Sequence, residues 1–146
     1  MTQKKRSLQY STRLRGLATL NFFAADHNAA KEWYTSLLGY PPYFERPGYM
    51  EFRIGDFQHE LGIIDARFAP HGTSTPGGAV MYWHVDDVQA MLDKLISLGA
   101  KPHEKVMVRG EGFITASVVD PFGNVVGIMY NRHYLEIVNQ LTEKSN

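Results

Sequence analysis

Residues 120–131 read DPFGNVVGIMYN. Asp-Pro-x-Gly-Asn is a tight turn that feeds a strand. Apart from Gly127, the run from Val125 to Tyr130 is β-branched, aromatic or otherwise apolar, and it reads as a strand. A glycine inside a strand weakens it and marks a bulge or the close approach of another group. What stands over Gly127 is therefore the first question the chain raises.

The elements leading up to that strand occur twice. In the second half, residues 79–85 (AVMYWHV) predict a strand, Asp86-Asp87 caps a helix through VQAMLDKLISLG, and strands follow at about 101–109, 113–119 and 125–130. In the first half, residues 17–25 predict a strand and Asp26 caps a helix with the apolar stripe Ala30, Trp33, Tyr34, Leu37 and Leu38. Strands at about 42–46, 49–54 and 58–65 follow, divided by turns at Pro47-Gly48 and Gly55-Asp56. The helix ends Leu38-Gly39 and Leu98-Gly99 lie sixty residues apart behind matching aspartate caps.

This is a duplicated βαβββ unit, so the fold class is α+β: two modules forming a cupped mixed sheet. The domain plan is a basic, poorly ordered tail (1–15), a first module (16–68), a linker APHGTSTPGG (69–78), a second module (79–131), and a C-terminal helix and tail (132–146). The apolar spacing of HYLEIVNQL predicts an amphipathic helix of about two turns over 133–141.

Strand alternation assigns faces. Leu20 and Phe22, then Met81, Trp83 and Val85, then Val126, Ile128 and Tyr130 fall under the helices. Thr19, Asn21 and Phe23, then Val80, Tyr82 and His84, then Val125, Gly127 and Met129 face the other way. Mixed, aromatic-rich faces at a repeat interface are where ligand pockets form.

Composition narrows the chemistry. The 146 residues contain no cysteine, which excludes disulfides, thiolate catalysis and cysteine-bound zinc, and which suits a reducing cytoplasm. Net charge is formally zero, yet Lys4, Lys5, Arg6, Arg13 and Arg15 crowd the first fifteen positions. The body left behind is acidic and offers no basic face for nucleic acid. No apolar run is long enough to cross a membrane, and no apolar segment follows the basic start, so no signal peptide is expected.

With these elements in order, the chain resembles the vicinal-oxygen-chelate superfamily: glyoxalase I, extradiol dioxygenases, and the fosfomycin- and bleomycin-resistance proteins. The resemblance spans about residues 16–131. It rests on Asp26, Tyr34 and Leu37-Leu38-Gly39, on Val85–Val88 with Leu98–Ala100, and on Asp120-Pro121-Phe122-Gly123-Asn124. It implies paired modules, a homodimer, and a small molecule bound in the cupped sheet. Carried over by position, the family's metal ligands fall on Thr19, Glu60, Val80 and Gly127. Valine and glycine side chains donate nothing to a metal and a threonine hydroxyl is a poor ligand, so only Glu60 could serve. The expectation is no cofactor and no metal residue.

Glu60 reads in two ways: a carboxylate facing the pocket as base or cation partner, or a strand residue paired with Arg53. His84 shares the face of Val80 and Tyr82 and reads as a donor or base, or as a satisfied half-buried histidine. His59 alternates away from Glu60 and cannot chelate with it. RGEGF (109–113) reads as a flexible loop without the context of a phosphate-binding loop.

The sequence thus predicts a metal-free binder of a small organic ligand of aromatic character. Its expected pocket is lined by Thr19, Asn21, Phe23, Glu60, Val80, Tyr82, His84, Gly127 and Met129. The alternative is a lyase or dioxygenase of the same superfamily, using a displaced metal site or acid–base chemistry by Glu60 and His84. A third reading is a partner-binding module that uses the basic tail and the C-terminal helix. Neither nucleic acid nor membrane is an expected partner.

Overall fold

The computed structural model describes residues 17–69 and 80–145. The basic tail and most of the linker lie outside the described residues, and the expectations for them lie there too. The first module runs β1 (Thr19–Ala24), α1 (His27–Leu38), β2 (Phe44–Arg46), β3 (Tyr49–Ile54) and β4 (His59–Asp65). The second runs β5 (Met81–His84), α2 (Val88–Ser97), β6 (Lys101–Gly110), β7 (Phe113–Val119) and β8 (Val125–Asn131), and α3 (Arg132–Ser145) follows.

Each module forms a four-stranded mixed sheet, in the order β1-β4-β3-β2 and β5-β8-β7-β6. The pairs β1·β4 and β5·β8 are parallel and the rest antiparallel.

The caps form as the sequence predicts. Asp26 accepts from the Ala29 N–H and Asp87 from the Ala90 N–H, both at 3.0 Å, so each satisfies an amide the helix itself cannot. Gly39 closes α1 in the left-handed conformation, φ 88°. Asp120 builds the turn before β8: its Oδ1 accepts from the amides of Phe122 at 2.9 Å and Asn124 at 2.8 Å.

The helix-covered faces merge into one core. Phe22, Met50, Phe52, Leu61 and Ile63 of the first sheet meet Ala116, Val118, Val126 and Ile128 of the second beneath Tyr34, Leu37, Leu92 and Leu95. Burying each large apolar side chain contributes about 1.5–3 kcal/mol. The helices are also tied directly: Trp33 Nε1 donates to Leu98 O at 2.7 Å, and Lys94 Nζ to Leu37 O at 3.1 Å.

Three local expectations change. RGEGF is not a loop: β6 runs to Gly110, and Glu111-Gly112 close a two-residue hairpin onto Phe113, with Gly112 at φ 81°. β2 begins at Phe44 rather than residue 42. The last helix extends to Ser145, because Thr142-Glu143-Lys144 keep helical backbone after the apolar stripe has ended. No helix among the described residues is long and apolar enough to cross a membrane.

Candidate functional site

The faces turned away from the helices carry polar side chains that pair with one another. In the first sheet Asn21, Gly62 and Glu51 stand in one row, and Thr19, Glu60 and Arg53 in the next. In the second sheet the row is Tyr82, Gly127, Ser117 and Glu104. Asn21 lies five residues before the cap Asp26, and Tyr82 five before Asp87, so the two rows correspond. Gly62, rather than Glu60, is the internal counterpart of Gly127.

Both glycines are overlain by their row neighbour. A β-carbon on Gly127 would stand 2.6 Å from Tyr82 Cδ1 and 2.8 Å from the Met81 carbonyl oxygen. A β-carbon on Gly62 would run into Asn21 Oδ1 and crowd the Tyr49 ring. Gly127, expected in the pocket lining, therefore opens no space for a ligand. The ring of Tyr82 fills that space, and Gly127 itself is buried.

The paired carboxylates show what the row side chains do. Glu60 accepts from Thr19 Oγ1 at 2.7 Å and pairs with Arg53 Nη1 at 2.9 Å. Glu51 accepts from the hydroxyls of Tyr43 and Tyr49, and those two bonds hold its carboxyl below the usual range. Desolvation, and then the bond to Glu51, pushes Tyr43 up to about 12. In the second module Glu104 accepts from Tyr82 and from the buried Ser117, both at 3.1 Å. Burial first, then Glu104, raises the Tyr82 hydroxyl.

A cavity with aromatic walls lies where the modules meet. A pocket of about 300 Å³ is bounded by the β3–β4 turn (Ile54, Gly55, Asp56), by His59 and Leu17, by Met81–His84, and by Met129, Asn131 and Tyr134. Behind it an apolar crevice of about 170 Å³ runs between the helices, and Ile54, Trp83 and His84 line both.

Of the residues predicted from sequence, the structure brings Tyr82, His84 and Met129 to this pocket. Thr19, Asn21, Glu60 and Gly127 stay in the paired rows. Phe23 is bracketed through its backbone by the Asn124 side chain, which accepts from its N–H at 3.2 Å and donates to its carbonyl at 2.9 Å. Val80 precedes β5. Met81 and Trp83, which alternation assigns to the helix-covered face, and Tyr134, in the apolar stripe of the last helix, line the pocket as well. β5 is the edge of its sheet, and all four of its residues border the junction pocket.

His84 is the most constrained polar group there. Its side chain is 8% exposed. The ring stacks on Tyr134 at 4.6 Å and 11°, and Tyr130 tilts against it at 5.4 Å. Nδ1 accepts from the Asn131 N–H at 3.1 Å. Nε2 is buried without a hydrogen-bond partner. The Asp86 carboxylate lies 3.4 Å from Nε2 but is out of line for a bond, on a side chain 93% exposed.

Residues 16–128 match the family model of the Glyoxalase/Bleomycin resistance protein/Dioxygenase superfamily. The chain belongs to that superfamily. A curated relative, "Putative glyoxylase CFP32" of Mycobacterium tuberculosis, is 31% identical over 113 residues, covering 74% of this chain. Its Mycobacterium bovis counterpart matches equally. The chain spans only 43% of the length of either.

Among solved structures, a glyoxalase-related enzyme from Fulvimarina pelagi superposes with TM-score 0.67 at 18% identity, over 81% of this chain and 89% of that one. A bleomycin resistance determinant encoded on transposon Tn5 superposes with TM-score 0.61 at 21% identity, over 80% and 98%. These likenesses carry the fold of the superfamily.

The metal of the superfamily's metal-dependent members does not fit this chain. Val80 and Gly127 offer no donor, and the Thr19 hydroxyl and the Glu60 carboxylate are bonded to each other. A longer side chain at 127 would meet the Tyr82 ring and a backbone oxygen. Among the described residues no three histidine, aspartate or glutamate side chains gather to hold an ion.

Proposed function

We propose that the chain is a metal-independent binder of a small organic molecule, taken up at the junction of its two modules. The observation that carries this reading is the junction pocket, whose volume of about 300 Å³ stands at the lower end of ligand sites. Its aromatic walls come from both modules: His59 from the first, Tyr82 and Trp83 from the second, with Tyr134 of α3 beside them. Such walls favour a flat, apolar ligand of one or two rings.

The acid–base reading gains nothing from the geometry. Glu60 is committed to Thr19 and Arg53, and it is not part of the pocket that His84 lines.

The same reading takes the chain as a homodimer in the cytoplasm. Its support is the exposed apolar side chains on the edge strands, Phe44 on β2 and Val108 on β6, and the absence of cysteine. Light scattering at two concentrations tests the dimer.

The ligand reading is tested by a thermal-shift screen of one- and two-ring aromatic compounds, run beside elemental analysis of the dialysed protein. Stabilisation by an aromatic compound, lost in Met129→Trp, is the expected result, without stoichiometric metal. A transition-metal ion retained at one per chain would overturn it.

A further inference from the structure

We infer that His84 sets the selectivity of the junction pocket, and that its Nε2–H takes a hydrogen-bond acceptor carried on a flat aromatic ligand, a ring nitrogen or an aryl carbonyl. The inference rests on the pocket being a ligand site.

A backbone amide only donates, so the bond from the Asn131 N–H at 3.1 Å means that Nδ1 presents its lone pair. In the neutral ring the hydrogen then sits on Nε2. That hydrogen is buried and makes no hydrogen bond: the Asp86 carboxylate, 3.4 Å from Nε2, is out of line for one and sits on an exposed side chain that a ligand can displace. A buried polar group without a partner is rare in folded proteins and calls for a specific explanation. An acceptor brought in by a ligand would supply the missing bond.

The ring is held in its orientation from both sides. Tyr134 stacks on it, and Tyr134 is itself held by its hydroxyl bond to Asp56 at 2.7 Å and by the edge of Phe57 at 6.0 Å. The donor is therefore fixed before a ligand arrives, which lowers the ordering cost of binding.

The walls define the rest of the ligand. Trp83 and Tyr82 offer aromatic faces, and no lysine or arginine is among the lining residues. The one lining carboxylate, Asp56, already accepts from Tyr134. A neutral heteroaromatic compound matches this set better than an anion, which would find no counter-charge.

Quinoline and naphthalene share a shape and differ by one ring nitrogen, so they separate the acceptor from the aromatic body. Binding of each to the full chain is followed at mildly alkaline pH by tryptophan fluorescence, and the His84 ring by NMR of protein labelled with ¹⁵N-histidine. Quinoline is expected to bind roughly tenfold more tightly than naphthalene, the worth of one hydrogen bond to a buried donor, and to move the Nε2 signal. His84→Phe, which keeps a flat ring against Tyr134, is expected to abolish the preference while retaining naphthalene.

Equal or reversed affinities with an unmoved Nε2 signal would overturn the inference and leave the pocket reading standing. Binding of neither probe would overturn both. If the variant fails to fold, the two probes and the ring signal in the unmodified chain decide the question.

Discussion

Tyr34 of α1 donates its hydroxyl to Asp120 at 2.5 Å, joining the helix of the first module to the turn that launches the last strand of the second. Both residues are buried. The same carboxylate accepts from two amides of its own turn and from Asn124 Nδ2 at 2.9 Å, and Asn124 in turn brackets the backbone of Phe23 in β1. The Asp-Pro-x-Gly-Asn turn is thus both a local device and the fastening between the modules.

Removing the Tyr34 hydroxyl strands part of a buried carboxylate. Tyr34→Phe is expected to cost about 1–3 kcal/mol, read from urea denaturation at neutral pH. Asn124→Ala draws on the same carboxylate, so the double variant should be less destabilised than the sum of the singles. Additive effects would show that Asp120 is not shared between them.

The same bond sets an alkaline limit. Burial, and then the charge of Asp120, holds the Tyr34 hydroxyl well above its ordinary pKa. Below about pH 10 the folded and unfolded chains both keep the proton. Above it the unfolded chain releases the proton while the folded chain retains it, so stability falls as pH rises, by up to about 1.4 kcal/mol per pH unit. Urea midpoints between about pH 8 and pH 11 should fall less steeply in Tyr34→Phe than in the unmodified chain. The slope should not vanish, because Tyr43, Tyr49, Tyr82 and Tyr134 are raised as well.

The two row glycines should respond differently to a methyl group. At Gly127 one of the colliding atoms is the Met81 carbonyl oxygen, which is backbone and cannot swing aside. Gly127→Ala is expected to cost about 1–3 kcal/mol. At Gly62 the colliding atoms belong to the side chains of Asn21, which is exposed, and Tyr49. Gly62→Ala should be the milder change, with Asn21→Ala restoring most of the loss. Equal costs at the two sites, or no rescue by Asn21→Ala, would contradict the overlay as described.

The contrast between the glycines shows where reading the sequence runs out. Alternation puts Phe22, Val126 and Ile128 under the helices, where they are buried, and Asp26 and Asp87 announce their helices, because both signals lie within one element. What covers Gly127 comes from β5, more than forty residues earlier, through a register set only when the strands pair. The site divides in the same way. Tyr82, His84 and Met129 were recognisable from strand alternation, whereas Asp56 and Tyr134 arrive from a turn and a terminal helix, seventy-eight positions apart along the chain. The unpartnered Nε2 of His84 has no sequence signature, since it follows from where the Asn131 amide points.

Glu60 should prove dispensable to the pocket. Its ion pair with Arg53 is partly exposed, at 25% and 42%, and such pairs contribute little. Glu60→Gln is expected to change stability by less than about 1 kcal/mol and to leave quinoline affinity unaltered. Loss of binding on this substitution would return the carboxylate to the site and reopen the acid–base alternative.

Tyr134 should act on the pocket through His84. It holds the imidazole by stacking, and its own ring is held by Asp56, whose bond, together with the larger effect of desolvation, pushes the hydroxyl up to about 12. Tyr134→Ala removes the stack and frees the imidazole to rotate, so the quinoline preference should shrink towards that of His84→Phe. Tyr134→Phe keeps the stack and loses only the bond to Asp56, and it should retain most of the preference. A purely structural tyrosine would weaken quinoline and naphthalene alike in the alanine variant. A positioning residue changes their ratio, so the ratio is the quantity to measure, with the His84 ¹⁵N signals reporting whether the ring has moved.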